Sequence, residues 1–192
     1  GEDKAAPRYT TEAATLGTLV VKVSATGNLQ PTNTVDVGSE LSGIVDKVYV
    51  DDNDEVKKGQ ILAQLDLSRL QDAVAKSRAS LTAAEAQVLQ AQATVAEARA
   101  TLARYQQVSQ LSGGKVPSRT EMDTAEANLK RAEANVASAR ASVTQARATL
   151  QSDETNLGKA SIRSPINGVV LSRQVDPGQT VAASFQAPVL FK

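Results

Sequence analysis

The chain has 192 residues, with 21 basic and 21 acidic side chains and neither His nor Cys. Without His and Cys it lacks the commonest general base, the thiol nucleophile, the usual zinc ligands and any disulfide. Balanced charge without a run of Lys or Arg argues against nucleic acid as a partner. Aromatic residues make up only 3% of the chain, which disfavours a thick globular core. We therefore expect no catalytic site, no metal and no cofactor.

The first 34 residues are strand-like. Apolar and polar residues alternate from Thr10 onward, for example in Leu19–Val23, and β-branched residues are frequent. No run of about 18 to 20 apolar residues indicates a membrane span. The chain starts at Gly1–Lys4 and stops within the apolar run 187–192. We therefore expect a fragment of a longer protein, in which residues 1–34 are part of a β-barrel domain.

Two long helices are predicted in the middle of the chain. The stretches 68–111 and 118–157 contain no Gly or Pro, and their apolar residues recur at helical spacing. The pairs Ser68 with Gln71 and Ser118 with Glu121 have the spacing of capping boxes, and Gly158 suits the position after a helix end. Gly113 and Gly114 predict the turn between the helices.

The two helices carry matching heptad patterns, with large residues at one core position and mostly Ala at the other. An antiparallel register centred between Gly113 and Gly114 places a large side chain opposite Ala in successive layers, Val95 against Ala132 being one. The same register brings together charged residues of opposite sign: Arg78 with Glu154, Glu85 with Arg147, and Arg99 with Glu133. The pattern predicts a closely packed antiparallel coiled coil.

The segments on either side of the helices contain an internal repeat with an offset of 125 residues. Ser39–Val45 matches Ser164–Val170, and Val50–Val56 matches Val175–Val181. Each half is a short strand pattern with one apolar face, which it cannot bury alone. We therefore expect the two halves to pack on each other.

Together these features predict an α+β fold in which a small split β-domain is interrupted by a long α-helical coiled-coil hairpin. The predicted boundaries are residues 35–66 and 159–192 for the β-domain and 67–158 for the hairpin.

The β halves resemble lipoyl and biotinyl domains, in Gly43-Ile44-Val45 with Glu55–Asp66, and in Ser164–Val170 with Gly178–Val181. The helical insertion between such halves resembles the periplasmic adaptors, or HlyD-like membrane fusion proteins. Val35–Ser39 and Gln179–Leu190 look most like the MacA-type adaptors. The resemblance implies a periplasmic adaptor of a tripartite efflux pump, anchored at the inner membrane through a segment absent from this chain.

The resemblance also implies partners. These are an inner-membrane transporter, for which we favour a MacB-type ABC transporter, a TolC-like outer-membrane channel, and further copies of the chain in a hexameric ring. Adaptors of RND pumps and of type I secretion remain alternatives. A carrier domain of an enzyme complex, bearing lipoate or biotin on Lys, is the alternative of another class.

The family docks its hairpin tip on the channel through an Arg, a Leu and a Ser. Leu111 and Ser118 have the family's seven-residue spacing. The family's Arg lies one turn before the Leu, where this chain has Gln107, so Arg104 is the substitute candidate. Ser118 is also sufficient as a helix cap, and Leu111 as a last layer of the coil. Gln186, before Ala187-Pro188, matches a glutamine that lines the central channel of MacA-like rings as a gate.

Overall fold

A computed structural model describes residues 34–182. The predicted N-terminal β-barrel strand and Gln186 lie outside these residues. The elements follow in the order β1 (Gly43–Val48), β2 (Glu55–Val56), β3 (Ile61–Leu65), α1 (Ser68–Leu111), α2 (Arg119–Lys159), β4 (Ser161–Arg163), β5 (Gly168–Val169) and β6 (Thr180–Val181). The order β, α, α, β confirms the predicted α+β fold with a helical insertion.

The chain divides into two compact units. One is the helical unit, Asp72–Glu154, and the other is the β-unit, formed by the described residues on either side of it. Within the described part of the chain, neither helix combines the length and the apolarity that a membrane span requires.

The β-unit contains two small antiparallel sheets, and both join the two halves of the repeat. The larger sheet has the strand order β4-β3-β1-β6, and the smaller one pairs β2 with β5. Gly43 pairs with Val181 in the larger sheet, and Val56 pairs with Gly168 in the smaller. The two pairs are equivalent, because Gly168 is the repeat mate of Gly43 and Val181 is the repeat mate of Val56. Exchanging the two halves therefore converts one pair into the other. The halves are therefore related by an approximate two-fold axis.

Hydrogen bonds outside the strands follow the same symmetry. Asn53 donates its N–H to the carbonyl of Val170 at 2.7 Å, and Gly178 donates to Val45 at the same distance. Both donors have positive φ, 69° for Asn53 and 86° for Gly178, so both turns use the left-handed region that Asn and Gly tolerate best. The prediction that each half completes the other is confirmed.

Both halves contribute to one hydrophobic core. Three of its positions are repeat mates, since Val45, Val50 and Val56 of the first half correspond to Val170, Val175 and Val181 of the second. The buried core residues are Val45, Val50, Val56, Leu62, Ala63, Leu65, Ala160, Ile162, Val170, Val175 and Val181. None of these residues belongs to Asp72–Glu154, so this core is internal to the β-unit.

Arg173 links the two repeated turns. Its guanidinium lies 2.7 Å from the carboxylate of Asp176 and 3.9 Å from that of Asp51, which is the repeat mate of Asp176. Its backbone N–H also donates to the carboxylate of Asp52 at 2.7 Å. The repeat mate of Arg173 is Val48, so this single cation breaks the two-fold symmetry and serves a turn from each half.

The helical unit has the predicted register. The ion pairs Arg78–Glu154, Glu85–Arg147 and Arg99–Glu133 are all present, at 3.1, 3.8 and 3.4 Å. Val95 and Ala132, predicted to share a layer, are buried to 9% and 3% exposure. Toward the opposite end from the turn, the hydroxyl of Ser77 donates to the carboxylate of Asp153 in a polar contact across the seam. The antiparallel pairing is confirmed.

Two predictions about helix ends were wrong. Ser68 lies inside the first turn of α1 and is not the cap, because the carboxylate of Asp66 accepts its N–H at 2.9 Å. This hydrogen bond lowers the pKa of Asp66. Gly158 is not the residue after α2, because the helix continues to Lys159. The chain leaves the helix at Ala160, which is buried in the β core and donates its N–H to the carbonyl of Leu157.

Candidate docking site at the hairpin tip

The tip begins where α1 ends in a Schellman motif. Gly114 donates its N–H to the carbonyl of Ser109 at 2.7 Å, and Gly113 lies within 3.5 Å of that of Gln110. Both glycines have positive φ, 68° and 85°, which is the conformation that ends a helix at lowest cost when the residue is Gly. The predicted turn at Gly113 and Gly114 is confirmed.

The next residues are held by Ser112. Its hydroxyl oxygen accepts the N–H of Val116 at 3.2 Å and lies 3.0 Å from the carbonyl of the same residue. This closes the loop between the helices with local hydrogen bonds. The turn is therefore structured without any partner.

Ser118 caps α2 through the predicted capping box. Its hydroxyl oxygen accepts the N–H of Glu121 at 3.1 Å, and the Glu121 carboxylate accepts the N–H of Ser118 at 3.0 Å. The second bond lowers the pKa of Glu121, because it favours the charged carboxylate. The Ser118 side chain also contributes to this lowering through a hydrogen bond to the Glu121 carboxylate.

Three apolar side chains are exposed at the tip. Leu111 is 81% exposed, and Val108 and Val116 are also exposed. Leu111 therefore does not close the last layer of the coil, which was the structural alternative for this residue. Sequence reasoning missed Val108 and Val116, although their position on either side of the glycine turn was a usable signal.

Arg104 lies on the same side of α1 as Leu111, because seven residues make almost two full helical turns. The axial distance between them is roughly 10 Å at about 1.5 Å per residue. The guanidinium of Arg104 is 3.3 Å from the hydroxyl of Thr101, one turn further from the tip. The structure thus places Arg104 and Leu111 in one column and Ser118 across the turn.

The comparisons with known proteins agree with this fold. The family model described as RND MFP, barrel-sandwich hybrid domain, matches residues 33–191. The macrolide export protein MacA of Yersinia pestis is 36% identical over 86% of this chain and 44% of its own length. The pyoverdine export membrane fusion protein PvdR of Pseudomonas aeruginosa is 34% identical over 96% of this chain and 46% of its own.

A solved structure gives the same result in three dimensions. The crystal structure of MacA from Actinobacillus actinomycetemcomitans aligns with a TM-score of 0.76 at 36% identity, over 84% of this chain and 49% of that one. The chain spans less than half the length of the curated relatives it matches.

A split β-domain with a helical hairpin in place of a carrier loop defines an adaptor of the membrane fusion class, which is not enzymatic. The chain belongs to the RND membrane fusion protein family through its barrel-sandwich hybrid domain, and it is MacA-like within that family. The predictions that the chain is an adaptor of this family and not an enzyme are confirmed.

Proposed function

We propose that this chain is the hairpin and lipoyl-like part of a periplasmic adaptor in a tripartite efflux pump. The adaptor connects an inner-membrane transporter with a TolC-like outer-membrane channel, and six copies form a ring that conducts the substrate. An anchor in the full-length protein holds it at the inner membrane. The observation that carries the proposal is the tip, which is preorganised by its own hydrogen bonds and presents exposed apolar side chains.

The tip suits docking on another protein for physical reasons. Covering an exposed Leu side chain with a partner's surface lowers the free energy of the complex. A turn that is already ordered loses little conformational entropy on binding. Leu111 supplies the apolar contact, and Ser118 supplies a small exposed side chain beside it. Arg104, further along the same face, supplies a cation.

Docking can be tested by measuring the affinity of the full chain for a purified TolC-like channel in detergent. We expect Leu111→Ser to weaken binding at least about tenfold, as for a central anchor of an interface. Leu171→Ser is the matched control, because Leu171 is also exposed but lies in the β-unit. Equal affinity of the Leu111 variant and the wild-type chain would contradict the proposal.

Ser118 needs a test that separates docking from capping. Ser118→Arg should abolish channel binding. Circular dichroism should show nearly unchanged helicity, because the lost capping bond affects only the first turn of the 41-residue α2. Thr120→Arg is the control for the added charge, since Thr120 is exposed in the same first turn and leaves the capping box intact. Normal binding by the Ser118 variant would remove this residue from the docking site.

Gln107 and Arg104 test the family's pattern directly. If the Arg of the family belongs one turn before Leu111, Gln107→Arg should strengthen channel binding. If Arg104 is the substitute, Arg104→Ala should weaken it by an amount that Gln107→Arg restores. If Arg104→Ala and the double variant with Gln107→Arg both bind the channel as tightly as the wild-type chain does, the tip has no cation that takes part in docking.

We favour a MacB-type ABC transporter as the inner-membrane partner, because MacA proteins are among the relatives. An RND transporter is the second candidate, because the matching family model is described as RND MFP. Co-purification of the full-length adaptor with each class of transporter decides between them.

Gln186 remains the proposed gate of the ring, and Gln186→Ala should increase substrate leakage through the assembled adaptor.

A further inference from the structure

The two flanks of the helical hairpin differ in charge. The charged flank carries the three ion pairs between α1 and α2. Apart from Glu121 next to the turn, the opposite flank, called the neutral flank, has only uncharged residues at the heptad positions beside the seam. These are Ser80, Gln87, Thr94 and Thr101 on α1 and Asn128, Asn135, Ser142 and Thr149 on α2.

The neutral flank contains a shallow groove of about 430 Å³ between the helices. Its floor includes the seam alanines Ala84, Ala91 and Ala139, and its walls are amide and hydroxyl side chains such as Gln90 and Ser138. No charged residue lines it. Small side chains at the seam therefore leave room on this flank that nothing in the described hairpin fills.

Leu89 is the side chain that could fill such a groove from outside. It is 68% exposed in the middle of a helix, within the stretch Ala86–Ala96, which carries no charge. At about 100° per residue, Leu89 points roughly 200° away from Gln87. It therefore lies on the opposite face of α1 from the groove, next to the charged flank.

The groove and Leu89 also lie at the same height along the hairpin. Leu89 stands between Gln87 and Gln90 in the sequence, and both of these residues line the groove. A contact between two different patches of identical copies is head-to-tail, and it closes into a ring only when the rotation brings the chain of copies back on itself. Patches at equal height add no rise per copy, which is what a closed ring requires.

We propose that the neutral groove of one hairpin receives Leu89 from the neighbouring copy of the same chain. The proposal rests on the ring of the proposed function and names the surfaces through which its hairpins meet. The two surfaces are compatible in charge, because no charged residue lines the groove and Leu89 lies in the uncharged stretch Ala86–Ala96. They match in size as well, because a large apolar side chain meets a floor of alanines.

Disulfide crosslinking tests the pairing, and the absence of Cys in the chain makes it clean. Leu89→Cys and Ser138→Cys are prepared as separate variants of the full chain, mixed and oxidised. We expect a mixed dimer on a non-reducing gel, and a ladder of multimers from the double variant. Leu89→Cys mixed with Glu133→Cys, on the charged flank, is the control and should link at least tenfold less.

Two crosslinking outcomes would overturn the proposal. Dimers of Leu89→Cys alone, in excess of the mixed dimer, would mean that two copies meet back to back. Equal linkage to Glu133→Cys would mean that the contact is not specific to the groove.

Sedimentation gives an independent measure. Leu89→Asp should weaken self-association at least tenfold with unchanged helicity, because Leu89 lies outside the seam, whereas Leu171→Asp should not. A wild-type chain that stays monomeric at all concentrations overturns the proposal. Channel binding by the monomer reports on the tip separately: if Leu111→Ser loses binding while Leu89→Asp assembles normally, docking stands and the groove contact falls.

Discussion

At the scale of single residues, Asn53 shows how one backbone conformation constrains a side chain. Its φ is 69°, which lies in the same left-handed region that Gly178 occupies in the second half of the repeat. Asn53→Gly should leave stability nearly unchanged, whereas Asn53→Val should cost roughly 1–2 kcal/mol, because β-branched residues are strained at positive φ. Urea unfolding measures both.

Gly178→Val provides the comparison in the other half. No atom lies within 4 Å of a Cβ built at Gly178, so the cost there comes from backbone strain alone. Similar losses at the two positions would support the two-fold relation, and an unchanged unfolding midpoint for Asn53→Val would contradict it.

The capping box gives a prediction about pH. The folded pKa of Glu121 is lowered from 4.5 by the hydrogen bond from Ser118. A lowered folded pKa stabilises the native state above the unfolded pKa, and this stabilisation is lost as the pH falls through the folded value. We expect the wild-type chain to be more stable than Glu121→Gln at neutral pH and the two to converge as the pH falls below 4.5 and through the lowered folded pKa.

Thermal unfolding of both proteins across this range measures the effect. Asp66 caps α1 by a similar bond and also has a lowered pKa, but it is present in both proteins and cancels in the difference. A gap between the two variants that is constant with pH would show that Glu121 does not titrate with folding.

Helix caps were predicted correctly from the sequence only where no competing hydrogen-bond acceptor lies nearby in the chain. The Ser118 cap was predicted correctly because Ser118 follows a proline and nothing nearby offers a better oxygen. The Ser68 cap was wrong because the Asp66 carboxylate, two residues earlier, takes the first amide. Gly158 was wrong because a Gly inside a helix looks the same in sequence as one just beyond its end.

At the scale of elements, the seam of the hairpin was predictable because it is periodic. The heptad spacing, the charge pairs and the glycine turn all specified one register, and the ion pairs confirmed it. Exposed ion pairs contribute little to stability, about 0–1 kcal/mol. The alternation of large residues and Ala therefore carries most of the specificity of the seam.

Overpacking this seam tests that statement. Ala132 is 3% exposed in the layer with Val95, and Ala132→Leu should destabilise the hairpin by about 1–3 kcal/mol, because the added methylenes have no space. Ala134→Leu is the control, since Ala134 is exposed on the outer face of α2. Helix content followed during chemical denaturation measures both, and equal stability of the two variants would mean that the seam is loosely packed.

At the scale of the whole chain, the repeat predicted that the β halves complete each other, but it could not specify how. A repeat with one apolar face allows several pairings, and only the structure shows the reciprocal bonds of β1 with β6 and β2 with β5. The role of Arg173 was not predictable either, because its repeat mate is Val48 and the repeat therefore gives no signal for it. The proposed partners follow from the family and from the tip.

The reciprocal pairing leads to a prediction about the β-unit by itself. Every residue of its core lies outside Asp72–Glu154, so replacing residues 72–154 with a short Gly/Ser linker should leave a chain that still folds. Its stability should be low, because a domain of this size buries a smaller fraction of its surface than a larger one. A dispersed NMR spectrum and one cooperative thermal transition are the expected results.

The control for this deletion lies within the core. Val175 is 1% exposed, and Val175→Asp in the shortened chain should abolish the transition, because a carboxylate cannot be buried there without a partner. If the shortened chain is unfolded even without that substitution, the helical unit contributes to the stability of the β-unit, and the two halves do not suffice for each other. If it folds, the β-unit is stable without the hairpin, which can then vary in length and at its tip without loss of the fold.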